Sequence, residues 1–281
     1  MSASNARATT MQSEHILKKE KVPSRKDSGR ARSVYLAWTA GILSVTLIFA
    51  FQSHYPTLIG PFSNITTPIV AGTALFSSYR CLPRYGFNLR GKFDRVWIYF
   101  TLGMASWTIA EVTWGIYYFI LKIPVPYPSV ADFFYIGAYF PLSLALLTYF
   151  HTFRAGMTKQ MTLVSVAAIA VCCALVLGFV VPVEFAKTQP LLTALTNSIY
   201  PILDLLLISL TILSVVLFVK GTLGRWWGVL ATGIVLDIIG DEVFLYLSAR
   251  GMYYNGSFDD LFYIAAYFMF ALAFYIHRRK L

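Results

Sequence analysis

The chain has 281 residues, of which 57% are hydrophobic and only 13% charged, and its mean hydropathy is +0.63. A water-soluble domain carries about 25% charged and about 45–50% apolar residues, so this composition excludes an ordinary soluble globule and predicts an all-α, polytopic membrane helical bundle. The formal net charge of +10 follows the loops between apolar stretches, so it is a topology signal and no nucleic-acid partner is expected.

Residues 1–32 are polar and basic with no apolar run, and they read as a disordered cytoplasmic tail holding Lys18, Lys19, Lys21, Arg25, Lys26, Arg30 and Arg32. The first apolar stretch starts too late, is too long and lacks a small-residue cleavage site, so it is not read as a cleavable signal peptide. Eight stretches are long enough to cross a hydrocarbon core about 30 Å thick, which takes roughly 20 residues. In chain order they are Ser33–His54, Gly60–Tyr79, Val96–Leu121, Ala131–Phe150, Met161–Val181, Asn197–Val219, Trp226–Ser248 and Phe258–Ile276. They run unbroken at helix length, without the roughly 10-residue alternation of a barrel.

The even-numbered loops carry Arg80, Arg84, Arg90, Lys92 and Arg95, then Arg154 and Lys159, then Lys220 and Arg225, and the chain ends His277-Arg278-Arg279-Lys280. The odd-numbered loops carry only Lys122, Lys187 and Arg250. If all eight stretches span, every basic cluster falls on one side, which puts both termini on the cytoplasmic face of the cell membrane. Cys172 and Cys173 adjoin within the fifth stretch and Cys81 stands at a helix end, a spacing that suits neither a disulfide framework nor a zinc site.

The chain repeats itself. Asp132–Phe140 reads DFFYIGAYF and Asp260–Phe268 reads DLFYIAAYF, seven identical positions of nine at an offset of 128. Asn64, Pro68 and Ile69 match Asn197, Pro201 and Ile202 at an offset of 133, and Glu111-Val112 matches Glu242-Val243 at 131. Internal repeats settle architecture early, and here they predict two parallel four-helix repeats, residues 33–154 and 155–281, behind the tail. An even number of spans per repeat gives both halves the same orientation, with a pseudo-twofold axis along the membrane normal.

Ionisable groups inside membrane helices cost at least about 2.5–3.5 kcal/mol each and usually face the bundle interior. Glu111 falls roughly 22 Å from the cytoplasmic end of its stretch at 1.5 Å per residue. Glu242 is placed alike, Asp204 lies in the outer half, Asp132 and Asp260 stand at the outer boundary, and Asp237 and Asp241 add charge to the seventh stretch. The spans offer almost no Lys or Arg to neutralise them, so a proton, metal ion or cationic ligand is expected there. Helical spacing puts Trp107, Glu111, Trp114 and Tyr118 on one stripe, and does the same for Asp132, Tyr135 and Tyr139 and for Asp260, Tyr263 and Tyr267. Carboxylates beside aromatic faces suit organic cations. The alternative is structural: Tyr-to-carboxylate hydrogen bonds hold membrane helices together, and Asp132 and Asp260 also suit plain helix caps.

The segment Pro128-Ser129-Val130-Ala131-Asp132-Phe133-Phe134-Tyr135, followed by Tyr139-Phe140-Pro141-Leu142, and the piece Tyr200-Pro201-Ile202-Leu203-Asp204 resemble PSxADxxY, YPL and YPxxD patterns. Those patterns belong to the multi-spanning N-terminal membrane regions of prokaryotic diguanylate cyclase and histidine kinase signalling proteins. This chain departs from them by Phe140 before Pro141, and it ends a few residues after its last stretch. The resemblance implies a sensory module that signals through a separate cytoplasmic partner.

With His54, His151 and His277 at helix ends and no lysine within a span, neither bis-histidine haem nor a retinal Schiff base is expected, and the cofactor is left open. No Walker loop, G-x-S-x-G elbow or H-E-x-x-H occurs, so an enzyme is not the expected reading. Three functions stay open: a receptor-like module binding a small cation, proton or metal ion; a secondary transporter or channel with Glu111, Asp204 and Glu242 as relay; and a structural membrane subunit. The expected partners are the lipid bilayer and the separate signalling protein, with a homodimer left open.

Overall fold

The computed structural model describes residues 25–176, 178, 190–218 and 224–280. Residues 1–24 of the expected tail, Lys187, Lys220 and the end of the fifth stretch lie outside them. Among the described residues the chain is helical, without strands, and eight helices have 17 residues or more. They are α1 (Arg25–Ala50), α2 (Pro56–Tyr79), α3 (Lys92–Ile116), α4 (Val130–Phe153), α5 (Lys159–Leu175), α6 (Leu191–Phe218), α7 (Gly224–Ala249) and α8 (Phe258–Lys280). Arg25–Arg32, read from sequence as tail, form the first turns of α1.

Four segments are long and apolar enough to cross a membrane: Arg32–Ala50, Val130–Gly156, Leu191–Phe218 and Phe258–Arg279. Of the other long helices, α2, α3 and α7 have 24, 25 and 26 residues, at least about 36 Å at 1.5 Å per residue, but hold more polar side chains. The described part of α5 is a shorter apolar helix.

The chain divides into two compact units, residues 1–43 and 44–281. In the first, Leu36 and Leu43 of α1 are exposed. In the second, six helices close a ring: α2 packs on α3, α3 on α4, α4 on α6, α6 on α7, α7 on α8, and α8 returns to α2. Helix α5 packs on α6 outside that ring.

Two contacts set the approach of neighbouring helices. A Cβ on Gly103 of α3 would lie 2.5 Å from the Leu142 side chain of α4, and a Cβ on Gly233 of α7 would lie 2.6 Å from the Phe270 ring of α8. Only a bare backbone admits these side chains, the usual device for close helix packing in membranes. Inside the ring, Phe100, Met104, Leu146, Leu207, Ile234 and Phe274 meet in an apolar layer with about 10 Å³ of free space.

At the arginine-rich end, the single turn Leu82–Tyr85 follows α2, and Arg84 Nη1 donates to the Arg278 carbonyl. His277, expected at a helix end, is buried beside Trp97 and Trp226, with ring centroids 4.4 and 4.7 Å away. Its imidazole meets the Tyr85 hydroxyl at 2.7 Å. Cys81 is buried there too, and burial pushes its thiol up to about 12 against the opposing pull of Arg278 and Arg84.

Two outcomes follow from this packing. Gly103→Val overpacks the α3–α4 contact and is expected to cost about 1–3 kcal/mol, read as a lower unfolding temperature in detergent. Cys81 is expected to resist maleimide in the folded protein at neutral pH and to react after denaturation, because the reactive thiolate forms only as the pH nears about 12; the check is mass-resolved labelling.

Candidate functional site

Helices α2, α4, α6 and α8 begin, and α3 and α7 end, at the end of the ring that carries the α3–α4 and α7–α8 connections. Each connection delivers an aspartate to the first turn of the next helix. Ser129 caps α4 by accepting from the Ala131 amide at 3.1 Å, while Asp132 Oδ2 accepts from the Ser129 amide at 2.6 Å and the Ser129 hydroxyl at 2.9 Å. This is a capping box with an acid at the third position. At α8, Asp260 Oδ2 accepts from the Gly256 amide at 2.8 Å. Gly256 has φ +93°, and a Cβ there would lie 2.8 Å from the Ile59 backbone, so glycine lets this connection close onto the start of α2.

Both aspartates also bind the next helix of the ring. Asp132 Oδ1 accepts from Tyr200 of α6 at 2.9 Å, and Asp260 Oδ2 accepts from Ser63 of α2 at 2.5 Å. One turn and two turns into α4 and α8, tyrosines serve the acids of α3 and α7. Tyr267 donates to Glu111 Oε1 at 2.9 Å, and Tyr135 lies beside the same carboxylate. Tyr263 donates to Asp241 Oδ1 at 2.7 Å, and Tyr139 reaches Asp241 Oδ2 at 2.8 Å. Glu111 and Asp241 are thus each attended by one tyrosine from the adjacent helix and one from a helix two places along the ring.

Tyr139 also lies 2.6 Å from Asp204 Oδ1. A phenol has one proton to give, so both contacts are attractive only when one more proton is held among Asp204, Tyr139 and Asp241. Asp204 is buried, and its Oδ2 has no hydrogen-bond partner.

Above these bonds lies a cavity of about 70 Å³, partly open, whose wall includes the carboxylates of Glu111, Asp132, Asp241 and Asp260. That volume admits several waters or one small organic molecule. No Lys or Arg among the described residues lines it. Its aromatic side is built by Trp114, Phe244 and Tyr253, in edge-to-face contact with centroids 4.8–6.2 Å apart. Asn255 fixes this wall, because its Oδ1 accepts from Trp114 Nε1 at 3.0 Å and from Asn64 Nδ2 at 3.3 Å.

Of the residues singled out from sequence, Glu111, Asp132, Asp260, Trp114, Tyr135 and Tyr263 line the cavity. Tyr139, Tyr267 and Asp204 stand behind it, tied to its acids or their partners. Trp107 lies deeper, stacked on Phe270 in the apolar layer. Glu242 differs from expectation: it is half-buried, near Asp204, and does not line the cavity, where Asp241 stands instead. Adjacent helical residues point about 100° apart, so only one of the two can face inward. The signal was in the glycines: Gly103 and Gly233 make the same kind of contact at an offset of 130, and that offset carries Glu111 to Asp241. Tyr200, Ser63, Tyr253 and Asn255 were not singled out; a YPxxD piece contained Tyr200, and nothing local marked the other three.

Among the described residues, no three His, Cys, Asp or Glu side chains converge as a metal centre requires. Comparison with protein-family models, with curated proteins and with solved structures found no match. Tyr139→Phe removes the only hydrogen bond to Asp204 described above and is expected to cost about 1–3 kcal/mol, the penalty of an unsatisfied buried group. Tyr263→Phe should cost less, since Asp241 keeps Tyr139; unfolding of the two variants in detergent compares them.

Proposed function

We propose that this chain is a receptor-like membrane protein whose cavity at the connector end binds a small organic cation. The observation that carries this reading is a cavity walled by four carboxylates and six aromatic side chains with no Lys or Arg among its described lining residues. Such a wall attracts a cation by charge and by ring faces together. The resemblance to sensory membrane regions of signalling proteins points the same way and suggests a separate cytoplasmic partner.

The membrane arrangement belongs to the same proposal: eight spans as two parallel four-helix repeats, with both termini cytoplasmic and the cavity on the outer side. The basic residues Arg84 and Arg278 at the far end support that orientation. The matching contacts of Gly103 with Leu142 and of Gly233 with Phe270, at offsets of 130 and 128, support the repeat. A transporter would need a polar route past the acids, and the apolar layer of Phe100, Met104, Leu146, Leu207, Ile234 and Phe274 argues against one.

The test uses the full-length protein in detergent and in liposomes, with n-butylamine as the probe. Butylamine is expected to raise the unfolding temperature, the effect is expected to vanish in Glu111→Gln and Asp241→Asn, and no amine flux is expected in proteoliposomes. Flux that both variants abolish would make the protein a transporter. Stabilisation that both variants retain would leave the acids a purely structural role.

A further inference from the structure

Tyr139 of α4 touches two acids with one hydroxyl. Its oxygen lies 2.6 Å from Asp204 Oδ1 of α6 and 2.8 Å from Asp241 Oδ2 of α7. One of these contacts takes the hydrogen of the phenol, and the other is a hydrogen bond only when the acid there carries a proton of its own. Two arrangements satisfy both contacts: a protonated Asp204 with an ionised Asp241, or the reverse.

The surroundings of the two acids decide between them. Asp241 Oδ1 also accepts from Tyr263 at 2.7 Å, and Asp241 lines the partly open cavity. Asp204 is 1% exposed, and among the described residues its Oδ2 has no hydrogen-bond partner. An ionised Asp204 would bury a charge with one oxygen unmet, whereas a neutral Asp204 leaves only a carbonyl oxygen unmet, at much smaller cost. Helices α4, α5 and α7 pack on α6. The ionisable neighbours they bring to Asp204 are Tyr139 of α4 and Asp237, Asp241 and Glu242 of α7, three of them acids. The basic residues of those helices among the described ones, His151, Lys159 and Arg225, lie in the last turn of α4 and the first turns of α5 and α7, at the arginine-rich end. From Arg225 to Asp237 is twelve residues, about 18 Å along the helix.

We infer that Asp204, Tyr139 and Asp241 form a proton-binding site, in which Asp204 Oδ1 holds the proton, donates it to the Tyr139 oxygen and so turns the Tyr139 hydroxyl toward Asp241. The buried acid is then the neutral one, and the acid at the cavity carries the charge, with Tyr139 and Tyr263 both donating to it. That this charge serves a cation rests on the reading above, while the proton needs no ligand. The test is infrared spectroscopy of the full-length protein in detergent at neutral pH, without amine. A protonated-carboxyl C=O absorption is expected that shifts when aspartate is carbon-13-labelled at its side-chain carboxyl, and one component of it is expected to be missing from Asp204→Asn. Asparagine replaces the neutral acid, because its amide also donates to the Tyr139 oxygen. This variant is therefore expected to fold and to keep the stabilisation by n-butylamine that Asp241→Asn loses. An unaltered protein without any protonated-aspartate absorption would overturn the proton site, and that measurement needs no variant. An unchanged spectrum in Asp204→Asn, or loss of butylamine stabilisation in that variant, would overturn the assignment to Asp204. If the Asp204 component is present but butylamine does not stabilise the unaltered protein, the proton site is upheld and the cation reading falls.

Discussion

The ring depends on hydrogen bonds from tyrosine hydroxyls to buried carboxylates. An acid in a membrane helix is strongly disfavoured unless something polar meets it, and here the partners come from other helices of the ring: Tyr267 to Glu111, Tyr139 to Asp241, Tyr200 to Asp132. Each bond ties helices that no short loop joins. Burial of the acids, costly by itself, thereby becomes specific, because slipping or rotating one helix would leave an acid without its donor. The carboxylates of Glu111, Asp132 and Asp241 also wall the cavity, so the interactions that hold the ring shape its lining.

Those bonds in turn need the helices at one distance and in one register. Gly103 and Gly233 supply both, by letting Leu142 and Phe270 seat against bare backbone. From Gly103 to Glu111, as from Gly233 to Asp241, is eight residues, a little over two turns. An acid at that spacing stands about 80° round the helix from the glycine, whereas the residue after it, Glu242 in α7, stands about 180° round, on the far face. Packing among apolar side chains thus decides which of two adjacent acids, Asp241 or Glu242, faces the ring.

Much of this was legible in the chain. The twin nine-residue segments located the starts of α4 and α8 and their tyrosine stripes, because a three- and four-residue spacing leaves little choice of face. Asp132 and Asp260 announced themselves as acids opening apolar helices, and Ser129 as a cap. Asp241 lines the cavity where Glu242 was expected, because two adjacent acids match one glutamate equally well by type, whereas the side chains that choose between them lie on other helices. Asn255 and Tyr253 escaped for a related reason: a polar loop residue carries no periodicity, and its role exists only once Trp114 and Asn64 are brought beside it. His277 looked terminal in sequence, and its burial comes from Trp97 and Trp226 on two distant segments.

The apolar layer limits how anything felt at the cavity can reach the arginine-rich end. Charge or protons would meet Phe100, Met104, Leu207 and Ile234, which offer no polar step, whereas a displacement of a whole helix passes through such a layer without loss, since close-packed side chains move together. Helices α4 and α8 are suited to that role. Each carries a cavity aspartate in its first turn, a tyrosine bonded to a helix two places along the ring two turns on, and an apolar residue of the layer, Leu146 or Phe274, further along. Helix α8 then reaches His277 and the carbonyl of Arg278, which Arg84 holds.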